Sequence, residues 1–318
     1  MIIAATWESG GLGQAGREVL GAAVRLGAAL GDDVAFAALG MAAVDAAAEA
    51  GGCGAARAFA LEGDYAASGA EGAIASLAEL ARELEARAVL LAADEQGGEI
   101  GPRLAERLSG TAVTHATSVE VADGRLLWTR PVFGGKAFAA VTAHVEPVVA
   151  TLRRGAFSSA EAMGGAAAVE TRQVPVTDGA VELIGSEEPQ SGVALEDAAV
   201  IVAGGGGLGS GEAFAELEEL AGLLGGAVGA SLVAVDSGWA APERQVGLTG
   251  KVVSPDLYFA IGISGASQHL AGIGGAKAVV AVNTDPDAPI FNTAKLGVVM
   301  DWKKFVPVLI EELRRAAP

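Results

Sequence analysis

Six consecutive residues, Ser264, Gly265, Ala266, Ser267, Gln268 and His269, carry the groups in this chain best suited to holding an anion. They overlap the end of an apolar run, residues 257–263 (LYFAIGI), whose length and content of β-branched and aromatic residues predict a buried strand. Where a strand ends in a Gly/Ser turn, backbone N–H groups point outward without partners, and such a nest binds phosphate. A helix that starts at the same place adds its dipole. A second small-residue turn, Gly247-Leu248-Thr249-Gly250-Lys251, precedes the strand. Two such turns flanking one strand predict a large phosphorylated ligand held at a sheet edge. Read singly, each has a plainer role: a turn Ser or Thr commonly bonds its own backbone, and His269 is as readily a helix-start histidine.

A third glycine-rich turn, residues 204–209, fits G-x-G-x-x-G after a strand and before a helix. No Gly-Lys-Ser/Thr follows, which excludes a triphosphatase loop. The acidic residue expected about 20 positions on is not clearly supplied, since Asp236 comes late. The run is therefore either a weak nicotinamide-dinucleotide fingerprint or a tight strand-to-helix turn.

The elements that must position these turns alternate. Residues 2–6, 34–39, 58–61 and 88–92 read as strands. Residues 16–30, 44–50, 74–86 and 103–108 read as helices with apolar positions at helical spacing. Alternation of this kind implies a parallel sheet with helices on both faces. From residue 111 the texture changes to short strands at 119–121, 126–130, 137–145 and 148–152, an antiparallel or mixed edge continuing the sheet. Residues 177–195 are polar, acidic and broken by Gly and Pro, a linker pattern. Beyond it the alternation restarts, with strands at 199–203, 231–235, 257–263, 278–282 and 298–300 and helices at 213–224 and 305–316. The expected architecture is α/β with two doubly wound domains: an N-terminal nucleotide-binding-like domain over 1–187, a linker at 188–198 and a C-terminal parallel-sheet domain over 199–318.

Composition bounds the function. The formal charge of -18 repels a polyphosphate backbone and argues against nucleic acid. No apolar run reaches the ~18 residues of a membrane span, and residues 1–11 lack the pattern of a signal peptide. A single cysteine, Cys53, excludes an intrachain disulfide, and with three histidines a zinc site is not expected. Alanine and glycine are abundant enough that glycine counts alone carry little.

The second half resembles the FAD-binding domain of electron transfer flavoprotein alpha subunits. The similarity rests on GSGEAF (209–214), AVGAS (227–231), AVDSGW (234–239), QVGLTGK (245–251), PDLY (255–258), GISGASQHLAG (262–272), AVNTDPDAPIF (281–291) and GVVMD (297–301). The first half is more loosely similar, through GPRLAERL (101–108), RPVFGGKA (130–137) and LRRGAF (152–157).

The resemblance implies FAD in the second domain and a beta subunit as obligate partner. It also implies electron transfer from a flavoprotein dehydrogenase such as acyl-CoA dehydrogenase to a downstream quinone-linked or other acceptor, in the cytoplasm and without membrane insertion. Carried over by position, Ser231, Gly247, Thr249 and His269 would surround the flavin and ribityl chain, with Gly250 also among the cofactor-binding residues. Residues 264–268 would meet the pyrophosphate, and Asn283 and Asp301 the adenosine end. Three positions depart from the family pattern: Gly206 and Leu232 stand where arginine is expected, and Leu248 where glutamine is expected. Loss of cations beside a flavin predicts a lower reduction potential. Two other readings stay open, a subunit that has lost its flavin and a nicotinamide-dependent dehydrogenase.

Overall fold

The computed structural model describes residues 1–7, 11–40, 42–63, 65–122, 124–133, 135, 137–164, 167–174 and 194–316. The chain divides into two compact units, Met1–Glu188 and Pro189–Pro318. Of the expected linker, residues 177–195, all but 194 and 195 lie outside the described residues.

The first unit is built on a parallel seven-stranded sheet. Its elements are β1 (Ile2–Trp7), α1 (Gln14–Leu30), β2 (Val34–Leu39), α2 (Ala43–Gly52), β3 (Arg57–Glu62), α3 (Tyr65–Glu83), β4 (Ala88–Ala92) and α4 (Glu95–Arg107). There follow β5 (Thr111–Ala116), β6 (Ser118–Ala122), β7 (Arg125–Val132), β8 (Ala137–Thr142), β9 (Val148–Leu152) and β10 (Val169–Gln173). The sheet order is β10-β3-β2-β1-β4-β9-β5. Strands β2 and β4 are buried along their whole length, because helices cover both faces and each face needs apolar side chains. Helices α1 and α2 pack on one face through Leu20, Leu26 and Ala46. Helices α3 and α4 pack on the other through Leu77, Leu80 and Leu104.

Three expectations for this unit are corrected. The short strands after residue 116 do not extend the sheet as an antiparallel edge: β6, β7 and β8 form a separate three-stranded antiparallel sheet. Strand β9 instead enters the main sheet in parallel, between β4 and β5. Helix α4 begins at Glu95 rather than Arg103, because the Asp94 carboxylate accepts from the Gly97 amide at 2.8 Å and caps it.

The second unit has a parallel five-stranded sheet. Its elements are β11 (Val200–Gly204), α5 (Phe214–Leu223), β12 (Ala227–Ala230), α6 (Leu232–Asp236), β13 (Leu257–Ile261), α7 (Ser267–Ile273), β14 (Val279–Asn283), β15 (Leu296–Val299) and α8 (Trp302–Ala316). The order β12-β11-β13-β14-β15 puts β13 at the centre. From β11 the chain moves to one side, to β12, then returns to β13 on the other. The loops leaving β11 and β13 therefore diverge, and the crevice between them is where open α/β sheets bind ligands. The strand expected at 231–235 is a correction. The strand is β12, which stops at Ala230, and Ser231 caps the short helix α6 by accepting from the Ala234 amide.

Candidate cofactor site

The bend after β13 is the centre of the site. Among the described residues, no backbone amide from residue 264 to residue 269 donates a hydrogen bond within the chain, and the Ala266 N-cap of α7 supplies no side-chain cap. Six successive unspent donors meet the requirement of a phosphate nest. Gly265 makes the bend possible: its φ is 85°, and a Cβ there would come 2.2 Å from the Ile290 amide nitrogen. The bend is pinned from both sides, since Ile290 N–H donates to the Ser264 carbonyl at 3.0 Å and Asn283 Nδ2 donates to the Ile263 carbonyl at 3.0 Å.

Neighbouring segments tie the remaining residues to this bend along the carboxyl edge of the sheet. The Ser231 amide donates to the Gly204 carbonyl, and the Val246 amide to the Ala230 carbonyl, both at 2.9 Å. Leu248 N–H donates to the Gln268 carbonyl at 2.8 Å. Gly247 and Gly272 touch backbone to backbone, where a Cβ on Gly272 would lie 2.5 Å from Gly247. Ser231, Gly247, Thr249, Gly250, Gln268 and His269 thus belong to one connected surface. The Thr249 hydroxyl accepts from Gln245 Nε2 at 3.1 Å and retains its own hydrogen for a ligand. Gly250 permits the tight return, since a Cβ there would sit 2.5 Å from the Gln245 carbonyl oxygen.

Asn283 and Asp301 lie on the other side, in a cleft of about 270 Å³ lined by Gly207, Gly209, Gly262, Thr284, Trp302 and Lys303 as well. The glycine run after β11 serves close packing: the Gly207 amide donates to the Gly262 carbonyl at 2.9 Å, and a Cβ on Gly205 would be 2.3 Å from that oxygen. Asn283 and Asp301 also hold their own loops. Asn283 Oδ1 accepts from the Asp285 amide, and Asp301 Oδ1 from the Lys303 amide, both at 3.0 Å.

His269 is buried, and its Nε2 lies 3.0 Å from the hydroxyl of Tyr258 on β13. Burial lowers its pKa to about 4, partly offset by the Val246 backbone carbonyl, so the ring is neutral at pH 7. Its Nδ1 is solvent-inaccessible, and the Val246 carbonyl is the backbone acceptor beside the ring. Tyr258 was not expected at the site, because a tyrosine inside LYFAIGI reads as core. Thr284, Trp302 and Lys303 were also missed, and no pattern in their spacing marks them.

Residues 1–178 match the family described as the electron transfer flavoprotein domain, and residues 194–274 match the electron transfer flavoprotein FAD-binding domain. The alpha subunit of the electron transfer flavoprotein of Syntrophomonas wolfei is 39% identical over 288 residues, 90% of this chain and 91% of that one. The chain belongs to the electron transfer flavoprotein alpha-subunit family. The alpha subunit of Bacillus subtilis is 42% identical over 69% of this chain and 68% of its own. The mitochondrial alpha subunit of Dictyostelium discoideum is 42% identical over 68% of this chain and 62% of its own.

Membership assigns FAD as the cofactor and electron transfer as the role. The second unit fits such a group on its own terms. It offers unspent amides for a diphosphate and glycines where a backbone must approach closely. Of the positions that depart from the family pattern, Leu232 and Leu248 are apolar and open, 46% and 58% exposed. Among the described residues, no helix is long and apolar enough to cross a membrane.

Proposed function

We propose that this chain is the FAD-carrying subunit of a heterodimeric electron transfer flavoprotein and that the cofactor lies along the carboxyl edge of the second unit's sheet. The unspent amides of residues 264–269 would hold the diphosphate. Ser231, Gly247, Thr249, Gly250 and His269 would surround the flavin end, and Asn283 and Asp301 the adenosine end. FAD supplies the redox chemistry when bound, and the side chains here bind, orient and tune it. No acid or base is required of the protein.

The partner is a beta subunit. The donor is a flavoprotein dehydrogenase of the acyl-CoA dehydrogenase type and the acceptor a quinone-linked or similar carrier, in the cytoplasm. The names of relatives from three organisms and the FAD-binding match support this reading. The run of unpaired amides carries it, because among the described residues nothing else accounts for six successive donors without partners. Co-expression with a beta subunit and measurement of the visible spectrum and flavin content tests it. One FAD held by this chain is expected. A colourless complex leaves the flavin-depleted subunit in its place, and turnover of a small alcohol by the isolated chain with a nicotinamide favours the dehydrogenase.

A further inference from the structure

Among the described residues that line the cleft or form the bend and its neighbouring turn, Lys303 alone brings a positive charge that no carboxylate neutralises. Lys251, in the turn 247–251, is spent on the carboxylate of Glu196. His269 is neutral at pH 7, because burial lowers its pKa to about 4. Lys303 lies in the first turn of α8 and is exposed, with its ammonium 5.8 Å from the centroid of the Trp302 ring. Its backbone N–H donates to Asp301 Oδ1 at 3.0 Å, which fixes where its side chain leaves the helix.

The stability of α8 does not account for a cation at this place. The N-terminal end of a helix carries partial positive charge and favours acidic side chains. The first turn of α8 contains none, and holds Lys303 and Lys304 instead. Lys303 therefore works against the helix that bears it. It shares its cleft with Gly207, after β11, and with Gly262, which leads from β13 into the bend of unspent amides.

A bound diphosphate needs such a group. It carries a full negative charge on each phosphoryl unit, whereas backbone amides offer only partial charges. The formal charge of -18 adds a repulsive field, and Asp301 lines the same cleft.

We propose that Lys303 is the cation that neutralises the diphosphate of the cofactor, its ammonium bonding a phosphoryl oxygen on the adenosine side while the amides of residues 264–269 hold the rest. This rests on the placement of FAD along this sheet edge. A lysine suits the task, as a compact point charge with three donors on a flexible stem.

The test is a binding titration of the co-expressed heterodimer, stripped of flavin, with FAD and with ADP as a probe for the diphosphate and adenosine alone. Lys303→Met removes the ammonium and keeps most of the stem. Both ligands should bind about three- to tenfold more weakly at low ionic strength, the scale of a partly exposed charged contact. The difference from the unmutated protein should shrink as salt is raised, and Lys303→Arg should restore most of the affinity. Lys304→Met makes the same charge change one residue on, outside the cleft lining, and should bind as the unmutated protein does. The thermal midpoint of flavin-free Lys303→Met should be unchanged or higher, because the lost charge opposes the helix dipole; this separates weaker binding from poor folding. Unchanged affinity in Lys303→Met overturns the proposal. So does an equal loss in Lys303→Met and Lys304→Met, which marks a general field rather than a contact. A loss for FAD without one for ADP puts the ammonium at the flavin and also overturns it. If the unmutated heterodimer binds neither ligand, the placement of FAD fails, and the proposal with it.

Discussion

A β-carbon placed on Gly206 would stand 3.0 Å from Cγ1 of Val233. The glycine after β11 and the valine in α6 therefore share one space, and a larger residue at 206 requires Val233 to yield. Gly206→Arg should cost about 1 kcal/mol or more of stability through overpacking. Val233→Ala alone should be nearly neutral, since Val233 is 59% exposed. The double variant should recover most of the loss, giving a coupling of at least about 0.5 kcal/mol in a thermal or urea double-mutant cycle. Additive effects would show that the two positions do not share that space.

Leu232 opens α6 directly after Ser231, on the side where the flavin end is proposed to lie. A cation there should favour the negatively charged reduced flavin. Leu232→Arg is expected to raise the flavin reduction potential, and a charge effect of about 1.4 kcal/mol corresponds to about 59 mV in a one-electron couple. Potentiometric titration of the assembled heterodimer measures it. An unchanged or lowered potential would place the flavin elsewhere.

Two glycines with left-handed backbones separate strain from obstruction. Gly265 and Gly225 have φ of 85° and 63°, but only at Gly265 would a Cβ meet backbone, whereas nothing lies within 4 Å at Gly225. Gly225→Ala should cost about 1 kcal/mol of stability and leave FAD content intact. Gly265→Ala must in addition displace the segment at Ile290, so the amide bend opens and the purified protein should contain little flavin. Normal flavin content in Gly265→Ala would rule out this bend as the diphosphate seat.

His269 gives a pH dependence whose sign follows from its environment. Its folded pKa of about 4 lies below the ordinary value of 6.5, so the unfolded chain binds the proton more readily. Stability from this group is complete above pH 6.5 and declines as pH falls toward 4. Between pH 6.5 and 5 the loss should be about 2 kcal/mol. His115 has a pKa lowered by burial and by Arg130 and Arg153, so it acts in the same direction. The comparison is therefore urea denaturation of the FAD-free chain against His269→Gln, which should flatten the pH dependence. Equal slopes in the two proteins would mean that the imidazole is hydrated.

Sequence patterns located the fold where burial leaves an unbroken signature. Strands β2 and β4 are apolar at every position and β9 at all but Thr151, and all three have the expected bounds. Strand β5 was missed because Thr111, Thr114 and His115 interrupt its apolar run, and His115 has a φ of 55°. Strand β10, with the sequence VETRQ, is polar because it lies at the edge of the sheet. In the second unit SLVAV has the composition of a strand, but Ser231 caps and the chain turns into helix. The Gly/Ser bends of the site were legible because their chemistry is local. The Tyr258–His269 pair was not, since only the crossing from β13 into α7 brings their polar atoms together.

Strand β10 seals the outer edge of the first sheet by pairing with β3, Val169 lying opposite Ala58. A ribosome must therefore add more than a hundred further residues after β3 before its final neighbour exists. Until then the β3 side of the growing sheet exposes unpaired backbone, a template for pairing with another emerging polypeptide. Biogenesis of this subunit should accordingly be most sensitive to chaperone supply while residues 63–168 are being made.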